Sequence, residues 1–332
     1  MLWSQMAERS HVHVLFTFDF EEWEGKYDIY EADLHGKTRR VVDLLKRFEV
    51  PVTFFLDAET TLKYPEAADL LVEEGFELAL HSDRHFGPDS SSLTKYDFSY
   101  QDSETQIARI ESAISMIRHM IPKFDPKGFR APGLRWNEEL YISLNNMNFL
   151  YDSSQEDKFV FWPFLNGRVV VIPMNCGDYD SSCYKIGVKY VMNNWRDNYR
   201  RACQAAKEGG KSYFLLLAHP SVSGKYKYMG MLKAMINYIH WSEAEYMTCA
   251  DLATEYKTGK QKGEMETPGK RKINGILRKR RTYIEEREER VKQLRKAFED
   301  YRLRFIENTE VMRKKALTFR KRPRMKIRNV ST

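Results

Sequence analysis

The sequence predicts an α/β fold, a distorted (β/α) barrel with about seven strands, followed by a long basic helical extension that resembles a coiled coil. From residue 11 to about residue 256, short strand-like apolar runs alternate with amphipathic helical patterns, an order typical of parallel sheets. The charge then changes, because residues 257–332 hold 26 Lys and Arg against 10 Asp and Glu, whereas residues 1–256 hold 28 against 37. We therefore expect two parts, an acidic domain over 1–256 and a basic linker and charged helical tail over 257–332.

Each element is predicted from the period of its apolar residues. Alternation at every second residue indicates a strand, and apolar positions three and four residues apart indicate a helix with one buried face. In chain order the predicted strands lie at 11–18, 51–56, 76–80, 129, 169–172 and 213–218, and the predicted helices at 37–48, 65–74, 103–119 and 190–207. About seven such units over about 250 residues favour a barrel, and an open sheet remains the alternative.

The basic tail begins with a linker and continues as a charged helix. Glycine and proline between residues 259 and 269 indicate the linker, and apolar residues at steps of three, four and seven between 284 and 312 indicate a coiled-coil seam. Basic clusters at 278–281 and 320–324 flank this seam. We expect self-association (a homo-oligomer) or docking of the tail on the domain, and contact with an anionic membrane surface or glycan is the second interpretation. Nucleic acid is disfavoured as a partner, because no nucleic-acid-binding motif accompanies the charge.

The amino terminus argues against secretion. A secretory signal needs an unbroken apolar core, and here Glu8, Arg9 and Ser10 interrupt it. The longest apolar run, at 213–218, is far shorter than the roughly 20 residues that span a bilayer. We therefore expect a cytoplasmic protein, or one bound peripherally at a membrane surface through its tail.

Ionisable residues follow four of the predicted strands. The runs end in Asp19, His81, Arg130 and His219. Because the loops after the strands of an α/β barrel open on one face, these side chains are expected to converge there.

Two of these strand ends carry potential metal ligands. His81 and His85 are four residues apart, a spacing that suits two imidazoles on one divalent ion, and Ser82 after the first histidine disfavours a zinc protease. Two surface histidines would give the same spacing. Asp19 and Glu21 share one face of an extended chain, although an acidic helix start is the competing interpretation.

Five motifs in order carry a resemblance to a known family. They are Thr17-Phe18-Asp19, Thr53-Phe54-Phe55, His81-Ser82-Asp83-Arg84-His85, Arg130-Ala131-Pro132 and Leu217-Ala218-His219. This pattern resembles the polysaccharide deacetylase family, the NodB-like carbohydrate esterases, over about residues 11–255. The start of the chain resembles the subgroup with an Asp-x-Glu first motif. The resemblance does not cover the tail.

The resemblance implies a single divalent cation, most often zinc, with cobalt, manganese or nickel as alternatives. It implies His81 and His85 as metal ligands. Most members of the family carry the acidic ligand directly after the base, where this chain has Phe20. The subgroup pattern therefore implies Glu21 as the third ligand. Glu22 remains the alternative.

The resemblance also implies roles for the other motif residues. Asp19 is expected to be the general base, Arg130 to orient it, and His219 to be the general acid. The substrate-binding residues implied are Gly133 through its backbone N–H, Leu217 beside the acetyl methyl group, Asp152 and Trp136. Asp152 is expected to orient His219 or to bind sugar hydroxyls, and Trp136 to stack on a sugar or to pack in the core.

The function expected is metal-dependent removal of an N-acetyl group, or less readily an O-acetyl group, from a sugar or glycan precursor. A metal-activated water would attack, with Asp19 as base and His219 as acid. The alternatives are a hydrolase of a small non-sugar amide or ureide on the same fold, and a non-catalytic binding protein that associates with glycans or membranes.

Overall fold

The computed structural model of the protein describes residues 11–22, 33–84, 97–176, 187–240, 242 and 244–261. His85 lies outside the described residues, and so does the whole tail beyond Gln261. The predictions made for His85 and for the tail therefore concern residues that the structure does not describe.

The described strands and helices alternate along the chain, in the order that the apolar pattern predicts. The strands are β1 His11–Phe20, β2 Val52–Asp57, β3 Glu77–Ser82, β4 Gly128–Phe129, β5 Tyr151–Asp152, β6 Phe164–Asn166, β7 Val169–Val171, β8 Lys211–Ala218 and β9 Ala244–Tyr246. The α-helices are α1 Leu34–Arg47, α2 Ala58–Lys63, α3 Pro65–Glu73, α4 Ser103–Met120, α5 Glu138–Asn146, α6 Val188–Gly209, α7 Pro220–Ser223, α8 Tyr226–His240 and α9 Cys249–Gln261.

The described strands form one sheet in the order β6-β7-β5-β4-β3-β2-β1-β8, and β9 pairs with the beginning of β1. All of these pairs are parallel except the hairpin between β6 and β7. Parallel pairing brings the carboxyl ends of β1, β2, β3, β4 and β8 to the same edge. The α/β class that the sequence predicts is therefore confirmed.

Alternation along the strands separates two cores. In β1, Phe16 and Phe18 pack with the surrounding helices in the outer core, whereas Leu15 belongs to an inner core on the concave side of the sheet. In β8 the same alternation sends Leu215 and Leu217 inward. Because side chains of a strand alternate between faces, the next inward positions after Leu15 and Leu217 include Asp19 and His219.

The sheet is a half-barrel rather than a closed barrel. Among the described strands, β6 and β8 form the two ends and do not pair with each other. The Asn175 side chain partly bridges the gap, because its amide donates to the Tyr213 carbonyl oxygen at 2.9 Å and its oxygen accepts from the Leu215 N–H at 3.0 Å. An asparagine amide thus satisfies part of the exposed edge of β8, which would otherwise present unpaired backbone groups.

Helix α9 covers the amino-terminal end of the half-barrel. The first N–H groups of the helix, those of Cys249 and Ala250, donate to Thr53 Oγ1 at 3.0 Å and to Glu77 Oε2 at 3.2 Å. The Glu77 carboxylate also accepts from the Tyr151 hydroxyl at 2.8 Å, and burial raises its pKa. These side chains add to the local N-cap, in which Thr248 Oγ1 accepts from the Asp251 N–H at 3.2 Å. The helix continues through residues 256 and 257, where the sequence predicts the start of the tail.

Most of the long elements lie close to their predicted positions. Strand β3 and helix α4 differ from prediction by at most two residues at an end. The prediction missed α5 and the strands β6 and β9, which offer too few residues for a period to show, and it also missed α8, although that helix has 15 residues. Within the described chain, no helix combines the length and the apolar character needed to cross a bilayer.

We expect Gly128→Ala to destabilise the protein. A Cβ at this position would lie 1.8 Å from the Tyr151 ring, which crosses β4 on the concave side. Overpacking of this kind typically costs about 1–3 kcal/mol. Urea denaturation should show this loss for Gly128→Ala but not for Gly209→Ala, because nothing lies within 4 Å of a Cβ at the end of α6. Equal stabilities of the two variants would contradict the close packing at Gly128.

Candidate functional site

The ionisable residues after the strands converge at the carboxyl edge of the half-barrel. Asp19 and Glu21 come from the end of β1, His81 from β3 and His219 from the end of β8. The His81 Nε2 atom lies 3.2 Å from Glu21 Oε2 and 3.7 Å from Asp19 Oδ2, and His219 Nε2 lies 3.4 Å from Glu21 Oε1. All four side chains are at most 6% exposed. The structure therefore brings together two carboxylates and two imidazoles in one buried cluster.

Arg130 holds the first of these carboxylates. Its Nη1 donates to Asp19 Oδ1 at 2.7 Å and to Thr17 Oγ1 at 3.0 Å, and its Nη2 donates to Ser153 Oγ at 2.9 Å. The guanidinium lies over the Phe55 ring with Cζ 3.9 Å from the ring centroid. Because Arg130 is completely buried, these partners must satisfy its charge and its donors. Asp19 is thereby fixed with Oδ2 directed towards His81.

The His81 ring has a defined orientation and tautomer. Its Nδ1–H donates to the Arg130 carbonyl oxygen at 2.8 Å, so that Nε2 is the nitrogen that faces the carboxylates. The register shifts in β3, where Leu80 pairs with Leu56 but Ser82 pairs with Asp57, which leaves His81 as the extra residue of a β-bulge. The pKa of His81 is raised above its ordinary value. Burial alone would lower this pKa, but the negative charges of Asp19 and Glu21 outweigh the effect of burial.

Backbone strain accompanies this bulge. Ser82 has φ +105°, a conformation that residues with a Cβ rarely adopt. Its hydroxyl donates to Asp83 Oδ1 at 2.7 Å, and Arg109 forms an ion pair with the same carboxylate. These contacts hold the strained residue beside His81, as is common at functional sites.

The two adjacent glutamates point in opposite directions. Glu21 faces the inner cluster of the site, whereas Glu22 forms an ion pair with Lys63 and accepts from the Tyr64 hydroxyl at 2.6 Å. Strand β1 runs two residues beyond its predicted end, to Phe20, and its alternation continues into the glutamates. Of the two ligands that the sequence left open, the structure places Glu21 beside His81 and Glu22 on the outer side.

Part of this cluster matches the donors of a divalent cation. Two ligands about 2.1 Å from a tetrahedral zinc ion lie roughly 3.4 Å apart, close to the separations of His81 Nε2 from Glu21 and Asp19. A carbonyl oxygen behind Nδ1 is the usual support of a ligating histidine. Within the described residues no group of three or more His, Cys, Asp or Glu is arranged to hold a metal ion. His85, the other histidine of the motif, is outside them.

Asp152 lies behind the site rather than in it. It is completely buried; its Oδ1 accepts from the Ser154 hydroxyl at 2.5 Å, and its Oδ2 accepts from the Tyr141 hydroxyl at 3.3 Å. The Ser154 Oγ in turn accepts from the Ala131 N–H at 2.8 Å. Asp152 therefore supports the turn after Arg130. Its hydrogen bonds go to Ser154 and Tyr141 rather than to His219, and its complete burial closes it to the sugar hydroxyls that the sequence also suggested.

The remaining predicted substrate residues have different surroundings. Gly133 is exposed in the turn after Arg130 with φ +60°, and the hydrogen bonds of this turn use the N–H groups of Leu134 and Arg135. Leu217 is buried in the inner core, two residues before His219. Trp136 is half-buried and packs edge-on against Tyr141 with ring centroids 5.5 Å apart, which is the core-packing alternative of the prediction.

Three residues of the site were missed in the sequence. Thr17 and Ser153 bind the Arg130 guanidinium, and their small hydroxyls give no pattern of their own. Asp57 ends β2, between the strands that carry Glu21 and His81, and its Oδ1 accepts from the Thr60 N–H at 2.8 Å. Burial raises the pKa of Asp57 to about 7. It follows a strand as Asp19 does, and this shared position was the available signal.

We expect Arg130→Met to destabilise the protein by about 3–5 kcal/mol, because it leaves the Asp19 carboxylate buried without its cation. The double variant Asp19→Asn/Arg130→Met should recover part of this loss, which denaturant unfolding of both singles and the double would show as a coupling energy. Strictly additive losses would contradict the assigned pair.

We expect Asp152 to make stability depend on pH. Burial raises the pKa of Asp152 from 3.8 to about 6, so that the folded state binds this proton more tightly than the unfolded chain. The raised pKa contributes roughly 3 kcal/mol to the free energy of unfolding below about pH 4. This contribution is lost as the pH rises from about 4 through about 6. The stability of Asp152→Asn relative to wild type should therefore rise between about pH 4 and pH 7. The exposed Asp125→Asn is the control, and an equal pH response of the two variants would contradict the assignment.

Comparisons with known proteins show which families and folds this chain resembles. Residues 8–151 match the family model described as polysaccharide deacetylase. A peptidoglycan deacetylase-like protein of Gibberella zeae is 21% identical, and the match covers 76% of this chain and 88% of that protein.

Solved structures show the same fold. A protein of Mycobacterium smegmatis assigned as a polysaccharide deacetylase superposes with a TM-score of 0.63 at 19% identity, over 77% of this chain and 93% of that chain. The Puue allantoinase superposes with a TM-score of 0.61 at 16% identity, over 76% and 92%. The match of the family model over residues 8–151 makes this part of the chain similar to polysaccharide deacetylases, and the likeness to these structures shows that the fold is shared.

Proposed function

We propose that the protein is a metal-dependent hydrolase that removes an N-acetyl group from a sugar or glycan precursor. One observation carries this proposal: Asp19, clamped by Arg130, lies in one buried cluster with Glu21, His81 and His219. A base, an imidazole acid and cation ligands are the groups that amide hydrolysis requires. The polysaccharide deacetylase family, whose model matches residues 8–151, generally uses a divalent metal.

The cation is assigned to His81 and Glu21, together with His85 from outside the described residues. Its contribution when bound is to supply a nucleophilic water at neutral pH and to polarise the acyl oxygen. The carbonyl oxygen of Arg130 keeps the His81 Nε2 lone pair directed at the site. Zinc is the expected metal, since imidazole and carboxylate donors suit it, and cobalt, manganese or nickel would suit the same donors.

Asp19 and His219 move the protons. Asp19 Oδ1 is bonded to Arg130, so that Oδ2 is the oxygen that accepts the proton of the attacking water. His219 Nε2, held beside Glu21, is placed to protonate the departing amine, which is otherwise a poor leaving group. The Gly133 N–H is assigned to the developing oxyanion and Leu217 to the acetyl methyl group.

The second candidate is hydrolysis of a small cyclic amide or ureide. The fold likeness to an allantoinase favours keeping it, because one fold can host several substrates. Both candidates use the same base and the same acid, so that a substrate panel separates them.

We expect the purified full chain to release acetate from N-acetylglucosamine oligomers. A chelator should abolish the release and zinc should restore it, because the site depends on the cation. His219→Ala should lower turnover by about 10²–10⁴ and leave zinc binding intact, whereas His81→Ala should lose both. His119→Ala, an exposed histidine on α4, is the matched control. Activity on a cyclic ureide alone would replace the proposal by the second candidate, and chelator-resistant activity would overturn its metal dependence.

A further inference from the structure

A buried carboxylate lies beside the site without a role in the chemistry described so far. Asp57, the last residue of β2, is 2% exposed. Its Oδ1 accepts from the Thr60 N–H and so caps α2. Its Oδ2 is buried and has no hydrogen-bond partner among the residues that the structure describes. A buried carboxylate oxygen without a partner is costly, so that its retention calls for a physical reason.

The position of Asp57 in the sheet relates it to the site. The strand order is β3-β2-β1, so that β2 lies between the strand of His81 and the strand of Glu21. His81 Nε2 and Glu21 Oε2 nevertheless approach to 3.2 Å, which means that the two side chains meet in front of β2. Phe55 faces the inner core, and Asp57 is the next inward position of the same strand. Asp57 therefore lies at the strand end over which the two side chains meet.

The pairing register of β2 with β1 and β3 also places Asp57 beside Glu21 and His81. Phe20 pairs with Leu56, so that Glu21 and Asp57 follow at the same level on adjacent strands. Asp57 also pairs with Ser82, directly after the bulge that contains His81. Adjacent inward positions on neighbouring strands lie about 5 Å apart at Cβ, a distance at which two buried carboxylates repel each other unless one binds a proton or positive charge lies between them.

Apart from the His81 imidazole, which is charged only when protonated, the described cationic side chains of the site are engaged elsewhere. The Arg130 guanidinium binds Asp19, Thr17 and Ser153. Lys63, on the helix that Asp57 caps, forms an ion pair with Glu22. A divalent cation beside Glu21 and His81 would supply the positive charge that the pair of carboxylates requires.

We propose that Asp57 is an additional anionic member of the cation site, which strengthens binding of the metal by Glu21 and His81. This inference rests on the proposed function, since it requires that a metal bind there. It adds a supporting carboxylate from β2 behind metal ligands that come from the neighbouring strands. The hydrogen bond to Thr60 N–H fixes Oδ1 and leaves Oδ2 as the oxygen that acts on the cation.

The test is zinc binding by the full chain, measured by isothermal titration calorimetry. Asp57→Asn keeps an N-cap side chain of the same shape but removes the charge. We expect its zinc affinity to fall by about 10–100-fold, the range found for residues that support metal ligands. Asp57→Ser, a second neutral cap, should show the same loss if Asp57→Asn folds poorly.

The matched control is Asp102→Asn. Asp102 caps α4 and accepts from the Thr105 N–H at 2.8 Å, the same geometry as Asp57 with Thr60, but it lies outside the cluster. Its zinc affinity should equal that of the wild type. A thermal melt gives a second readout, since zinc should raise the melting temperature of Asp57→Asn less than that of the wild type or Asp102→Asn.

The outcomes separate this inference from the proposed function. Wild-type affinity and an unchanged zinc-induced melting shift in both Asp57 variants, with binding lost in His81→Ala, would reduce Asp57 to a helix cap and overturn the inference alone. Equal zinc binding by wild type and His81→Ala, or none by either, would overturn the metal-dependent function and the inference with it.

Discussion

The contact between Arg130 and Asp19 is the interaction on which the rest of the site depends. A fully buried guanidinium is tolerable only when its donors are satisfied, and here Thr17 and Asp19 of β1 and Ser153 after β5 satisfy them. The same residue accepts from His81 Nδ1 through its backbone carbonyl. One side chain and one peptide group therefore fix the base and the metal-ligand candidate relative to each other. A displacement of Arg130 would disturb the base and the metal-ligand candidate together. Asp152 and Ser154 hold the turn after Arg130 in place through hydrogen bonds.

The support extends outward in layers. Asp152 binds Ser154, Ser154 binds the Ala131 N–H, and that N–H precedes the turn that presents Gly133. On the other side, Arg109 binds Asp83 and Ser82, which hold the bulge beside His81. Preorganised chemistry needs rotamers that do not relax when a charge develops, and hydrogen bonds behind the reacting groups supply this rigidity. The strain at Ser82 is accordingly offset by contacts rather than by a glycine.

Much of the site could be predicted because parallel strands share a direction. Asp19, His81, Arg130 and His219 each follow an apolar run, and the polarity of the sheet alone brings their positions to one edge. The choice between Glu21 and Glu22 could not be made from the sequence, since it depends on β1 continuing to Phe20. Asp57 was overlooked because a carboxylate before a helix is common as a cap, and only the strand order shows that β2 lies beneath the meeting point of its neighbours. The half-barrel could not be distinguished from a closed one, because pairing between the first and last strands has no local signature.

The open side of the sheet is joined by the Asn175 amide and by a backbone hydrogen bond from the Tyr213 N–H to the Phe161 carbonyl oxygen at 3.0 Å. In a complete ring, hydrogen-bond stagger fixes the diameter of the opening. Here Asn175 reaches β8 at two backbone groups, and no ladder among the described strands ties β8 to β6. Among the described residues, closure of the sheet on this side therefore rests on a few hydrogen bonds from side chains and loops rather than on a strand ladder.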